Sequence, residues 1–279
     1  MSKTINKNPL VSVIIPTYNR GWILKEAIDS VLSQDFDDFE LIVVDDGSTD
    51  NTQDILDGYA RDIIVLRQGN RGVSAARNAG IASASGLFIA FLDSDDLWLP
   101  GKLSRQVDYF NSNPNALICQ TEELWIRNGK RVNPKNRHKK FSGMIFKQSL
   151  PLCIVSPSAV MLKKSLLDKT GVFDESLPAC EDYDLWLRIS CKYPVLLIDT
   201  PLIIKRGGHE DQLSKTPKLD KYRIQALKKI IESSLLSQDQ HIDAVKMLNK
   251  KCEIYAQGCL KRGRNDESAY YYDLAQRYT

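Results

Sequence analysis

The chain has 279 residues, 43% of them hydrophobic and 26% charged, with a formal net charge of +3. That composition belongs to an ordinary globular protein and excludes disordered, collagen-like and fibrous classes. No apolar run approaches the ~20 residues of a bilayer-crossing helix, and the length suits one large α/β domain with an appendage.

The opening segment MSKTINKNPL has no apolar stretch, so no secretory leader is expected. Cys119, Cys153, Cys180, Cys191, Cys252 and Cys259 form no metal-type spacing and are expected to be reduced thiols. Residues 1–100 carry 8 basic and 15 acidic side chains, whereas 101–200 and 201–279 each carry 15 basic and 10 acidic. This excess is too moderate for a nucleic-acid footprint, so no nucleic-acid partner is expected. It does leave a basic surface for an anionic substrate or a membrane face.

VSVIIP (11–16), ELIVVDD (40–46), DIIVLRQ (62–68) and LFIAFLD (87–93) are too apolar to alternate, as strands buried on both faces are. Between them, Ile23, Ala27, Ile28, Val31 and Leu32 fall on one helical face. Ser48 or Thr49 is expected to cap a second helix, and Gly72 to Ala84 reads as a third, small-residue helix that packs closely. Alternating strands and helices predict a parallel sheet with right-handed crossovers.

Further on, LICQTEELWI and AVMLKK read as strands, and RNGKRVNPKNRHKK (127–140) as a basic loop turning at Asn128-Gly129. CEDYDLWLRIS (180–190) reads as a short helix opened by acids. Beyond Pro217 the pattern turns helical, with RIQALKKIIESSLL followed by a hairpin of two helices joined at Gly263-Arg264-Asn265. One hairpin cannot make a solenoid.

Open α/β sheets bind ligands beyond the carboxyl ends of their strands. There this sequence places Pro16-Thr17-Tyr18-Asn19-Arg20, Asp45-Asp46-Gly47-Ser48 and Asp93-Ser94-Asp95-Asp96. Asp93 and Asp95 could flank a hard divalent cation, or cap the next helix. Asp46 could accept a base N–H, or belong to a capped turn. Glu181 and Asp182 are either first-turn acids favoured by the helix dipole or contain a general base. His209 is a surface loop residue or completes a metal shell. Neither a G-x-G-x-x-G fingerprint nor a Walker A loop is present, which removes dinucleotide dehydrogenases and P-loop enzymes.

VSVIIPTYNR, ELIVVDDGSTDNT, NRGVSAARNAG, FLDSDD and CEDYDLWLR, in this order and spacing, resemble the family 2 glycosyltransferases over about residues 9 to 215. The resemblance implies an inverting enzyme of the GT-A fold: a Rossmann-like, mostly parallel sheet sandwiched by helices. The catalytic domain would span 1–215 and a C-terminal α-helical extension 216–279. It further implies that Pro16, Thr17, Tyr18 and Arg20 pack on the nucleobase and ribose of a nucleotide-diphosphate sugar, with UDP the usual carrier. Asp46 would read the base edge, and Arg77 and Asn78 would lie near the base and diphosphate. Asp93, with Ser94 beside it, and Asp95 would form the D-x-D element around Mn²⁺ or Mg²⁺, with His209 near the metal. Asp182 would be the catalytic base.

The processive synthases' Q-x-x-R-W motif is absent, so transfer of one sugar per turnover is expected, and Trp186 and Arg188 are read as packing and salt-bridge residues. The expected partners are a nucleotide-sugar donor and a glycan or lipid-linked acceptor, in cell-surface polysaccharide or glycan synthesis. The expected location is cytoplasmic, peripheral at the inner membrane face, with Lys250, Lys251, Lys261, Arg262 and Arg264 as membrane-contact candidates. Two competing readings are a sugar nucleotidyltransferase, disfavoured because PTYNRGW is not a Gly-rich basic loop, and an inactive nucleotide-sugar-binding or scaffold protein, disfavoured by the intact D-x-D and ED elements.

Overall fold

A computed structural model describes residues 9–208 and 219–278. The first four apolar runs form β1 (Val11–Thr17), β2 (Phe39–Asp45), β3 (Ile64–Arg67) and β4 (Phe88–Phe91). Between them lie α1 (Leu24–Leu32), α2 (Thr52–Asp57) and α3 (Val73–Ser83). The middle of the chain supplies β5 (Leu97–Trp98), α4 (Lys102–Ser112), β6 (Ile118–Arg127), β7 (Lys130–Val132), α5 (Phe146–Ser149), β8 (Val160–Lys163), α6 (Lys164–Thr170), α7 (Glu181–Ser190) and β9 (Leu196–Gly207). Three helices follow, α8 (Leu219–Glu232), α9 (Gln238–Leu260) and α10 (Asn265–Arg277).

The strands order as β3-β2-β1-β4-β8-β6-β9-β5, with β7 paired to β6. β1 to β4 are parallel, as the alternation of elements predicts. The remainder of the sheet is mixed. β8 runs antiparallel to both β4 and β6, β5 runs antiparallel to β9, and only β6 and β9 pair in parallel. An apolar run reports burial on two faces but not chain direction, so AVMLKK carried no sign of its reversal. The segment 127–140 is likewise more ordered than a loop: Asn128 and Gly129 turn β6 into β7, and a 3₁₀ turn follows at Asn136–His138.

Side chains alternate across β1, so Val13 and Ile15 pack with Leu24, Ile28 and Val31 of α1 on one face, while Ile14 packs with Ala76 of α3 and Phe91 on the other. Burying such side chains is worth about 1.5–3 kcal/mol each relative to exposure. Helix α3 approaches β1 through Gly80, where a Cβ would sit 2.5 Å from Ile14 Cγ2. Ile14 is fully buried and cannot move aside. Gly80→Ala is therefore expected to cost about 1–3 kcal/mol, read from urea unfolding; unchanged stability would mean the helix can lift off the strand.

Neither Ser48 nor Thr49 caps α2. Asp50 Oδ1 accepts the Thr52 N–H at 3.0 Å, while Ser48 Oγ accepts the Asn19 N–H and Asn19 Oδ1 accepts the Thr49 N–H. The polar residues after β2 are thus used to hold the loop after β1. The tail follows its pattern: α8 covers RIQALKKIIE and the hairpin of α9 and α10 turns at residues 261–264, with Ile224, Leu227 and Ile230 joining Leu248, Cys252 and Tyr271 in a core that includes Tyr183 and Leu187 of α7. A capping box at Ser237 and Gln240 starts α9. All six cysteines are free. Trp186 is buried, and Arg188 pairs with Asp184 at 2.9 Å and reaches the Thr170 and Val172 carbonyls, as packing and salt-bridge roles require. Among the described residues no helix is long and apolar enough to cross a membrane.

Candidate active site

The carboxyl ends of β1, β2 and β4 open on one cleft of about 740 Å³, which also receives the start of α7 and the end of β9. Pro16, Thr17, Tyr18, Arg20, Asp46, Arg77, Asp93, Ser94, Asp95 and Asp182 all line it. The bend after β1 depends on Asn19, whose φ of +52° lies in the left-handed region that Asn tolerates. Its two bonds to Ser48 and Thr49 hold that bend and leave the Tyr18 ring 43% exposed over the cleft. Thr17 Oγ1 is buried there with no protein partner.

Asp46 is 3% exposed and already well used. Its Oδ1 accepts Gln68 Nε2 at 2.7 Å and the Arg71 N–H at 2.9 Å, and its Oδ2 accepts the Gly72 N–H at 2.8 Å. A carboxylate has about four lone-pair sites, so Asp46 both ties down the loop before α3 and retains an acceptor position on Oδ2.

Arg77 lines the cleft from its buried side. It is 3% exposed, and its two terminal nitrogens bridge Asp93 Oδ1 at 2.7 Å and Glu181 Oε1 at 2.6 Å. The guanidinium lies 5.1 Å from the centre of the Phe173 ring, and Nε is buried without a partner. Arg77 thus links the loop after β4 to the start of α7. Asn78 turns away from the cleft altogether. Its amide donates to the Phe173 carbonyl and Glu175, and its Oδ1 accepts the Phe173 N–H. It fastens the segment before α7, a role that no local pattern encodes.

Asp93 stays 28% exposed with one oxygen held by Arg77, and Asp95 stands two residues on, beside the Ser94 that is buried between them. Two carboxylates of this kind fit a hard cation whose remaining positions are filled by phosphate oxygens and water. Among the described residues no group of three His, Cys, Asp or Glu side chains meets metal-site geometry. His209 lies outside the described residues. Asp96 is turned inward: it accepts Ser158 Oγ at 2.7 Å and the Arg206 N–H at 2.9 Å, fixing the loop to β9. Burial, and then the charge of Asp95, pushes its carboxyl well above the usual range.

Asp182 and Glu181 are neighbours with opposite fates. Glu181 is buried against Arg77, with burial raising its pKa against the pull of that guanidinium. Asp182 lines the cleft, accepting the Tyr183 N–H at 2.7 Å and the Cys153 thiol at 3.4 Å. Burial, and then Asp182, pushes the Cys153 thiol up, so it acts as a donor. Cys180, just before them, holds a left-handed φ of +63°, a strained conformation for a residue with a Cβ. The strain turns the chain sharply enough for α7 to begin at the cleft wall.

Lys205 and Arg206 were not singled out in the sequence. Lys205 Nζ donates to Ser156 Oγ at 3.3 Å. Burial works against this ammonium, but Glu123, Asp96, Asp93 and Asp182 outweigh it and hold its pKa above the usual lysine range. Arg206 pairs with Glu26 and donates through Nε to the Asp95 carbonyl at 2.6 Å. The signal that could have found both is the one that found the aspartates, since LIIKRG is an apolar run with its polar residues at the carboxyl end. Glu123 and Lys140 form a buried pair at 3.2 Å in the same wall, with the Glu123 carboxyl held down at about 2. Its burial opposes this shift, and Lys140 and Lys205 overcome it.

Of the five basic residues considered for membrane contact, Lys251 is buried beside Asp220 at 3.5 Å and Arg264 pairs with Glu267 at 2.7 Å. The cluster is therefore not one solvated face.

A family model described as Glycosyl transferase family 2 matches residues 12–171. An uncharacterized glycosyltransferase of Rickettsia typhi is 35% identical over 217 residues, covering 75% of this chain and 67% of the relative. The Escherichia coli protein WfgD, a UDP-Glc:alpha-D-GlcNAc-diphosphoundecaprenol beta-1,3-glucosyltransferase, is 35% identical over 185 residues, covering 64% of this chain and 69% of its own. Longer rickettsial relatives are matched over 31% to 35% of their length, so the chain spans about a third of them. The solved structure of S. aureus TarS 1–349 in complex with UDP-GlcNAc superposes with a TM-score of 0.66 at 18% identity, over 96% of this chain and 91% of that one. At that identity the likeness concerns the fold, which is that of GT-A glycosyltransferases.

Proposed function

We propose, on the premise that this chain belongs to glycosyltransferase family 2 and is a glycosyltransferase, that it moves one sugar from a UDP-sugar to an acceptor hydroxyl with inversion at the anomeric carbon. The observation that carries the proposal is the convergence of Tyr18, Asp46, Asp93, Asp95 and Asp182 on one cleft.

In this reading the exposed Tyr18 ring stacks on the base, and the remaining acceptor position of Asp46 takes the uracil N–H. Asp93 and Asp95 hold a Mn²⁺ or Mg²⁺ ion, which supplies charge neutralisation to the diphosphate. Lys205 adds a fixed ammonium of the same sign next to these aspartates. Asp182 accepts the proton of the acceptor hydroxyl as its oxygen bonds to C1, and the electron pair of the breaking C1–O bond leaves with UDP. One displacement turns an α-linked donor into a β-linked product. A second, nucleophilic carboxylate is not required, and Glu181 is unsuited to that role because Arg77 holds it in the core. The WfgD name specifies a β-linkage formed from UDP-Glc on a lipid-linked acceptor, which supports a UDP-sugar donor and a lipid-linked acceptor at a membrane face here.

Calorimetric titration of UDP, GDP, dTDP and CDP with and without Mn²⁺ tests the donor side. UDP is expected to bind in the presence of Mn²⁺ and to lose at least tenfold in affinity in Asp95→Ala. Absence of binding by all four nucleotides would leave the scaffold reading in its place.

A further inference from the structure

The wall of the cleft beside Asp182 is not completed by the sheet. It is completed by α8, whose Leu219 and Arg223 face the cavity alongside Leu152, Ile154 and Cys180. Resting on the transferase reading above, we propose that this wall is the acceptor subsite, that Arg223 binds a phosphate carried by the acceptor, and that the acceptor is a sugar joined through diphosphate to a lipid.

Four observations support this assignment. First, Arg223 makes no ion pair with the catalytic core among the described residues; its carboxylate partner is Asp220, on its own helix, at 3.0 Å. Its Nε is buried and has no protein acceptor. A guanidinium carries five N–H donors in a fixed fork that suits phosphate, so donors remain for a ligand.

Second, Arg223 is held rigidly. Ile224, Leu227 and Ile230 of α8 pack on Tyr183 and Leu187 of α7. Lys229 joins Asp184 of α7 at 2.8 Å and also pairs with Asp174. Helix α8 is therefore fastened to the helix that carries the proposed base, so the backbone that carries Arg223 needs no reordering when an anion arrives.

Third, Arg77 and Lys205 are engaged with carboxylates of the sheet edge and of the start of α7: Arg77 with Asp93 and Glu181, Lys205 with Glu123, Asp96, Asp93 and Asp182. Arg223 enters the same cleft from a different element, α8. Fourth, Leu152, Ile154 and Leu219 line the same cleft as Arg223. A phosphate followed by a hydrocarbon chain matches an arginine and aliphatic side chains lining one cleft, whereas a polyol polymer would leave Leu152 and Leu219 facing hydroxyls.

The test uses the full chain loaded with UDP and Mn²⁺, titrated with three probes: GlcNAc-α-diphospho-undecyl, the neutral undecyl α-GlcNAc glycoside, and inorganic pyrophosphate. The wild type is expected to bind the diphosphate lipid at least tenfold more tightly than either of the others. Arg223→Gln should remove that tenfold while leaving UDP affinity, melting temperature and neutral-glycoside binding unchanged, and Arg223→Lys should restore part of it. The proposal is overturned if the UDP-loaded wild type does not bind the diphosphate lipid, if pyrophosphate binds equally well, or if Arg223→Gln weakens both glycolipids alike. Loss of UDP binding in the wild type would instead strike the transferase reading, so the two failures are distinguishable.

Discussion

Asp182→Asn is expected to lower kcat by about 10²–10⁴-fold, the range that a positioned general base contributes, with UDP affinity within twofold of wild type. The substitution keeps an oxygen at the position that accepts the Tyr183 N–H, so the first turn of α7 retains its geometry. It removes the negative charge that would take the acceptor proton. The hydrogen bonds of Asp182 go to Tyr183 and Cys153, so the substitution breaks none to the residues of the proposed nucleotide site. Single-turnover transfer combined with UDP calorimetry checks the prediction. Near-normal turnover would remove Asp182 from the mechanism, and a parallel loss of UDP binding would make it a donor ligand instead of a base.

Arg77→Met should lose about 3–5 kcal/mol of unfolding free energy, because it leaves a buried carboxylate without its cation. The side chain holds Asp93 with one nitrogen and Glu181 with another, and both Arg77 and Glu181 lie in the core. Glu181 has no comparable second cation, so removing Arg77 leaves it either ionised and unpaired or protonated by burial. Metal-dependent UDP binding is expected to fall as well, since Asp93 loses the bond that orients it. Arg77→Met combined with Glu181→Leu should recover part of the stability, because the uncompensated charge is gone, yet recover none of the UDP affinity. Urea unfolding of the single and double variants separates the two effects. Equal stability of Arg77→Met and wild type would show that the bridge contributes nothing net, as some buried ion pairs do.

The relation between sequence and site is clearest at Asp46, Asp93 and Asp95. Each follows an apolar run, and a strand buried in a parallel sheet delivers its next polar residue to the edge where ligands bind. The same rule applied to LIIKRG would have reached Lys205 and Arg206, but that strand sits in the irregular half of the chain, beside a shift in register between Thr121 and Glu123. Asn78 shows the reverse case. Its place next to Arg77 in the chain says nothing about direction, and successive residues on a helix point about 100° apart. Arg77 therefore reaches inward to two carboxylates while Asn78 reaches sideways to Phe173 and Glu175. Ser48 and Thr49 follow the same logic. Their residue types favour capping, yet the loop carrying Asn19 comes close enough to claim them, and Asp50 takes over the helix end.

By itself, then, the sequence determined what depends on local periodicity and on neighbours in the chain: four strands, three of them buried on both faces and β3 half-buried at the sheet edge, the helices between them, the acidic residues at the strand ends and a helical tail. Hydrophobic burial enforces these because each strand has apolar side chains for two faces and each helix for one. The tertiary structure alone decided what depends on approach between distant segments. Residues 77, 93 and 181 meet in one ion-pair bridge although 104 positions separate the first from the last. β8 reverses between two strands whose sequences do not announce it. Arg223 enters the cleft because α8 packs on α7. These contacts join groups that share no helical or strand period, and only the closing of the whole core sets the distances between them.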